Sequence, residues 1–490
     1  MKSQIVFFKI ILFLIIISSV TIVNADEKAY SIKIKVSGIK EKYCQLGYYF
    51  GDKQYLKDSA KADAQGKFLF EGKEKLEGGI YLVILPDKSY FELVINDKEQ
   101  NFSVETDTSD LVKKMKVKGS TENELFYDYL NYINPRGRDA DLLSKTLSKT
   151  KNNADSTKML KEKISVIDKE VVKYKEDFMK NHPATFTAKI FKAMNDVDVP
   201  EPPVLSNGRP DSTFRYRFYK AHYWDNIDFS DGNIVRTPIF HRKLKQYFET
   251  MVLQIPDSIN KDAYDLIEKA KKNKDLFKYI VFYITNTYER SNIMGMDAVF
   301  VFMTENYYKT KQAFWVDSVQ LKKIIDRSNL LKPILIGKPA PNMLLQDTAQ
   351  KNIMLYAVQA KYTILAFWDP DCGHCKKEIP KLAEIHKKYK SNNIQTYAVC
   401  IERDSIKGEK AWKKFIRDNK LDWINVNDHF YHTDFKQLYD VYSTPVLYLL
   451  DDEKKIMMKR IGVEQVEDFM ERTFKPEKKE EIKNTKEKKK

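Results

Sequence analysis

The sequence predicts a multidomain chain: an N-terminal antiparallel β-sandwich, a central mostly α-helical domain and a C-terminal α/β domain. Three observations predict it. Short runs of alternating apolar residues fill the region up to residue 118. The apolar period then turns helical. Beyond residue 333, continuous apolar strands alternate with helices. With 490 residues, 43% of them hydrophobic, the chain can form about three domains with real cores.

The first 25 residues read as a targeting segment rather than a fold element. Lys2 and Lys9 give a positive start, an apolar run fills residues 10–17, and small and polar residues lead to Ala25. This is the pattern of a secretory signal peptide cleaved near Ala25; a retained membrane anchor is the alternative. The mature protein is therefore expected in the periplasm or cell envelope. Residues 26–118 carry the sandwich. "YSIKIKV" places Tyr30, Ile32, Ile34 and Val36 on one face, and "GKFLFEG", "GGIYLVILP", "SYFELVI" and "NFSVET" follow across turn residues. Cys44 lies in one of these strands and reads as a buried small hydrophobe.

Residues 119–333 form the helical domain. Thr121 and Glu124 have the spacing of a capping box at its start. Later, Phe277, Ile280, Val281 and Ile284 share one helix face. The aromatic stretch "FRYRFYKAHYWDNIDF" reads as core, with a ligand groove as the alternative. A loop at residues 199–212 breaks this domain in two. In "LIGKPAPN", Pro339 and Pro341 predict an extended linker. Residues 334–474 form the α/β domain. "YTILAFW" is a strand to be covered on both faces, and a helix is expected from about residue 373 to 389. Residues 475–490, with eight Lys and four Glu, read as a disordered tail. The net charge of +15 does not point to nucleic acid, because the lysines are interleaved with Asp and Glu and no Arg-rich patch occurs.

Four cysteines are too few to staple an exported chain of this size, so a closely spaced pair invites a chemical role. Cys372 and Cys375 lie in "WDPDCGHCKKEIP", where a strand runs into a helix start. The positive end of a helix stabilises a thiolate, and the thiolate is the attacking species. Cys372 is thus the expected nucleophile and Cys375 the resolving thiol, the two being close enough in sequence to form a disulfide. A zinc site would need two more ligands. No second Cys-x-x-Cys exists, and His429 and His432 read as surface loop residues. Cys400 reads as a buried strand thiol. No metal and no other cofactor is expected.

Residues 336–474 resemble the thioredoxin-fold thiol–disulfide oxidoreductases of the TlpA/ResA type. The resemblance rests on "FWDPDCGHCKKEIP", on Pro380 after the second cysteine, and on Thr444–Pro445 in "STPVLYLLD". The two preceding regions resemble uncharacterised domains found ahead of such units in Gram-negative envelope proteins. The resemblance implies a cis-proline at Pro445, with Thr444 offering its backbone to an extended substrate segment. It implies protein thiols and disulfides as substrates and a membrane electron donor for re-reduction. It also assigns Glu378 to proton transfer with Cys375. The family's buried Asp is replaced here by Ala366. Two neighbours are expected to tune the pair in opposite senses: His374 favours the thiolate, as in the Cys-Gly-His-Cys of disulfide isomerases, while Asp371 disfavours it. The expected activity is protein disulfide reduction. The alternatives are an envelope ligand-binding protein with a structural C-terminal domain, and a thiol peroxidase. The peroxidase pattern has Thr three residues before its cysteine, where this chain has Asp369.

Overall fold

The structure is a computed structural model that describes residues 28–39, 43–150, 154–401, 407–428 and 433–474. The segment expected to act as a signal peptide, the Lys-rich tail and the pair His429 and His432 lie outside these residues. The chain folds as two compact units. One takes the residues up to Ile227 together with Asn233–His241; the other takes Asp228–Gly232 and the residues from Arg242 on.

Among the described residues, the first unit has eight strands: Tyr30–Ser37 (β1), Tyr43–Phe50 (β2), Lys53–Lys61 (β3), Lys67–Gly72 (β4), Gly79–Ile84 (β5), Tyr90–Ile95 (β6), Asn101–Asp107 (β7) and Lys116–Lys118 (β8). They form two four-stranded sheets, β4-β1-β7-β8 and β3-β2-β5-β6. The alternation of β1 does what its pattern promised, burying Tyr30, Ile32, Ile34 and Val36. These residues meet Cys44, Leu46, Val83, Phe91 and Leu93 of the other sheet in one core, so the sheets pack as a sandwich. One pairing departs from the antiparallel expectation: β1 runs parallel to β7.

Three helices of the same unit follow: Thr121–Lys149 (α1), Ala154–Asn181 (α2) and Phe186–Met194 (α3). The cap of α1 is Ser120, one residue before the expected Thr121, and its hydroxyl accepts from the Asn123 N–H. Ser120 also donates to the Glu99 carboxylate at 2.7 Å, a tertiary bond that selects it over its neighbour. Buried Glu122 accepts from the N–H groups of Phe186 and Thr187, both at 2.8 Å, and so caps α3. The Asn123 amide pairs with both backbone groups of Val94 on β6. The aromatic stretch is only partly core. Its helix, Phe214–His222 (α4), buries no residue, whereas Tyr223, Trp224 and Ile227 just after it are buried. Helical spacing cannot tell half-buried rings that lean on one another, as Phe218 and His222 do at 4.2 Å, from rings that enter a core.

The division between the units falls within Pro238–Gln246 (α5). The second unit holds Pro256–Ala270 (α6), Lys274–Glu289 (α7), Asp297–Met303 (α8) and Ser318–Leu331 (α9), ahead of a seven-stranded mixed sheet. In chain order its strands are Leu344–Asp347 (β9), Asn352–Met354 (β10), Tyr362–Trp368 (β11), Ile394–Cys400 (β12), Ile424–Asn427 (β13), Val446–Leu450 (β14) and Ile456–Ile461 (β15). In space they run β10-β9-β13-β12-β11-β14-β15. Among the described residues, four further helices belong to the unit: Cys375–Tyr389 (α10), Lys407–Asp418 (α11), Phe435–Tyr439 (α12) and Val463–Phe474 (α13). Central β11 pairs in parallel with β12 and antiparallel with β14. Its residues alternate between two cores. Ile364, Ala366 and Trp368 face the side of α10 and α13, while Leu365 and Phe367 face the side of α12. That is why the strand is apolar at every position from Ile364 to Trp368.

The second of those cores also contains Phe300 and Val301 of α8, Leu331 of α9 and Ile334. The last part of the helical region is therefore built into the α/β unit, and the Pro-rich segment between them is no free linker. Gly337 N–H donates to Ile456 O at 2.8 Å, Ile456 N–H to Lys338 O at 2.9 Å, and Ala340 N–H to Lys454 O at 2.8 Å. Buried Lys459 of β15 reaches Asp297 at the start of α8 and the Ile334 carbonyl at 2.9 Å. No helix among the described residues is long and apolar enough to cross a membrane.

Candidate active site

The turn between β11 and α10 carries the cysteine pair. β11 ends at Trp368, whose carbonyl accepts from the Ile401 N–H at the end of β12, so the turn leaves from the middle of the sheet. α10 starts at Cys375, two residues later than the sequence suggests, with His374 as its N-cap. Cys372 precedes the helix and Cys375 is its first residue. The Cys372 carbonyl accepts from the Lys376 N–H at 3.1 Å, which closes the first helical turn beneath the sulfur.

The two thiols differ in environment. Cys372 is half-exposed; Cys375 is fully buried beside Trp368, Ile379 and Ala366. No bond joins the two sulfurs in this structure. The facing loop brings Thr444 to them. The Cys372 thiol donates to the Thr444 carbonyl at 3.3 Å, and the Thr444–Pro445 peptide is cis. Partial burial opposes ionisation of Cys372. It is outweighed by hydrogen bonds from the Thr444 side chain, the Cys375 N–H and thiol, and the His374 N–H, so the thiol sits below its ordinary pKa. Burial, reinforced by the neighbouring Cys372, pushes Cys375 up to about 12.

The charged side chains near the pair make their contacts away from it. The Asp371 carboxylate is exposed and lies 3.7 Å from Lys376. His374 is exposed, and it reaches Cys372 through its backbone N–H. Glu378 sits on the first turn of α10 and binds Lys381 at 2.8 Å, with Glu464 on the same lysine at 3.5 Å. No hydrogen bond joins Glu378 to either sulfur. Sequence reasoning missed the backbone N–H of Asp369, which faces Cys375 and partly offsets its burial. Nothing in a side-chain pattern signals a backbone donor.

The other cysteines lie in core. Cys44 is buried in the sandwich, and burial pushes its thiol up to about 12. Cys400 ends β12 opposite Trp368, buried in the same core as Cys375. Among the described residues, no cluster of three His, Cys, Asp or Glu side chains could hold a metal ion.

Comparison with known proteins bears on this site. Residues 336–459 match the AhpC/TSA family. Residues 30–126 and 142–332 match two domains of unknown function, DUF4369 and DUF5106. The thiol-disulfide oxidoreductase ResA of Bacillus cereus is 31% identical over 140 residues, covering 28% of this chain and 78% of that protein. ResA of Bacillus subtilis is 33% identical over 123 residues, 25% of this chain and 64% of that protein. A solved domain of a possible thiol-disulfide isomerase from Cytophaga hutchinsonii is 51% identical. It covers 29% of this chain and 94% of that domain, with a TM-score of 0.27.

Proposed function

The chain belongs to the thiol–disulfide oxidoreductases of the ResA type, and from that premise we propose that it is an exported protein-disulfide reductase working through Cys372 and Cys375. The observation that carries this reading is the contrast between a half-exposed thiol of lowered pKa and a buried one held near 12. The Cys372 thiolate attacks one sulfur of a substrate disulfide. A mixed disulfide forms and the other substrate sulfur leaves as a thiolate, which takes up a proton. Cys375 then loses its proton, with Glu378 as the proposed acceptor, and attacks the Cys372 sulfur. The second substrate thiol is released, and the Cys372–Cys375 disulfide holds the oxidised state. The substrate gains two electrons and the dithiol loses two. A membrane electron donor returns them, and disulfide-containing envelope proteins are the proposed substrates. Thr444 and Pro445 form the proposed substrate contact, since the Thr444 carbonyl lies within hydrogen-bond reach of Cys372.

Trapping tests this directly. Cys375→Ser should accumulate mixed disulfides through Cys372 in envelope extracts, and Cys372→Ser should accumulate none. Glu378→Gln should slow release of the second thiol in a purified assay. If Cys375→Ser gives no adducts and the purified protein does not speed insulin reduction by dithiothreitol, the reading is wrong. A redox titration then sets the direction. A midpoint near that of thioredoxin, about −270 mV, supports reduction, and one near about −120 mV would make the protein an oxidant. The AhpC/TSA match favours one second reading, a thiol peroxidase; turnover of hydrogen peroxide at the expense of the dithiol would select it.

A further inference from the structure

The loop that brings Thr444 to Cys372 is held from outside the sheet. It leaves α12 at Tyr439 and returns at β14, and between them only Tyr442 and Ser443 are exposed. Its first residue, Asp440, is 1% exposed and adopts a left-handed backbone with φ 55°. Two arginines converge on its carboxylate. Arg327 of α9 donates through both terminal nitrogens, one to each oxygen, the second at 3.0 Å. Arg460 of β15 donates to the second oxygen as well.

Arg460 reaches that position through a local irregularity. Leu447 pairs with Ile461 and Tyr448 with Lys459, so Arg460 is the unpaired extra residue of a β-bulge. Its own φ is 54°, a conformation uncommon for a long side chain. Two left-handed non-glycine residues that meet in one ion pair mark a place where local strain is held by tertiary bonds. Hydroxyls brace the same corner. Tyr448 donates to the Tyr439 carbonyl at 2.7 Å, and Tyr439 donates to the Pro341 carbonyl. Val441 is buried in the core that also contains Leu331 of α9.

We propose that Arg327, outside the segment that matches the AhpC/TSA family, is a positioning residue for the dithiol: with Arg460 it clamps Asp440 and so fixes segment 440–445, which sets Thr444 against Cys372. The last helices of the preceding region are then part of the active-site scaffold. A bidentate Arg–carboxylate pair suits this task because it fixes orientation as well as distance. When it is lost, Asp440 keeps only Arg460, the loop gains freedom, and Thr444 no longer lies steadily beside the sulfur. This inference rests on Cys372 being the nucleophile.

The test is the pH profile of Cys372 alkylation in the full-length reduced protein, with Cys372→Ser as the control that assigns the signal. In Arg327→Met the half-point should move to higher pH. The rate at pH 7 should fall by about three- to tenfold, as a rise of up to one pKa unit requires. The kcat/KM for a fluorescent disulfide-linked peptide should fall with it. Arg327→Lys, which keeps a charge but not the fork, should recover part of the loss. Asp440→Asn should behave like Arg327→Met, and serves in its place if that variant does not fold. A folded variant that melts earlier but keeps the wild-type half-point and kcat/KM would overturn the proposal, leaving the clamp a purely structural tie. A wild-type protein without an early-ionising thiol would instead overturn the assignment of Cys372, a separate outcome read from the same data.

Discussion

A thiol must ionise before it attacks a disulfide, and two thiols three residues apart are set apart here by burial and by backbone donors. Cys372 keeps solvent on one side and N–H groups on the other; Cys375 has the core around it. Iodoacetamide should therefore modify Cys372 alone between pH 7 and 9. The half-point should lie below that of an ordinary cysteine, about 8.5, and Cys375 should react only after unfolding. Peptide mapping of the alkylated protein checks this, and early labelling of Cys375 would contradict it. At this scale the sequence was legible for the two sulfurs and for Thr444. It did not show how the neighbouring charged side chains lie. His374, Asp371 and Glu378 are adjacent to the pair in sequence, but at a helix start adjacent side chains splay outward while the backbone amides turn in.

Elements formed where local pattern and tertiary contact agreed. The alternation in β1 and the unbroken apolar run in β11 each report the number of faces covered, so both could be read directly. The start of α1 could be read only to within a residue, because Ser120 and Thr121 are both good caps and Glu99 decides between them. Ser120→Ala should cost the first unit about 1 kcal/mol, since the Asn123 N–H and the Glu99 carboxylate both lose a partner. Denaturant unfolding followed by a probe in the sandwich would measure it. An unchanged midpoint would mean that Thr121 takes over the cap. In α4, the tertiary structure leaves half-buried or exposed a set of aromatics that the sequence assigns to a core.

Each unit, as a whole, has a core that contains a buried cysteine with a pKa near 12, Cys44 in one and Cys375 in the other. The sign of the linkage follows from these shifts. Both folded values lie above that of an unfolded thiol, so the stability they contribute is fully present below about pH 8.5 and is lost as pH rises towards 12. The reduced protein should accordingly unfold at lower denaturant at pH 10 than at pH 8 in both units, and Cys44→Val should relieve the alkaline loss in the first. Equal stability at the two pH values would show that neither thiol is held neutral by the fold.

By itself the sequence determined the order of the parts, the two-faced burial of the central strand, and a dithiol at a strand-to-helix turn. All of these follow from periodicities and spacings within a few residues. Only the tertiary structure decided that the helical region is shared between two units, that its last helices enter the core of the α/β sheet, and that Arg327 meets Asp440. The Arg327–Asp440 pair joins residues 113 positions apart. Side-chain volume and charge, rather than local pattern, select such partners, so no window of sequence displays them.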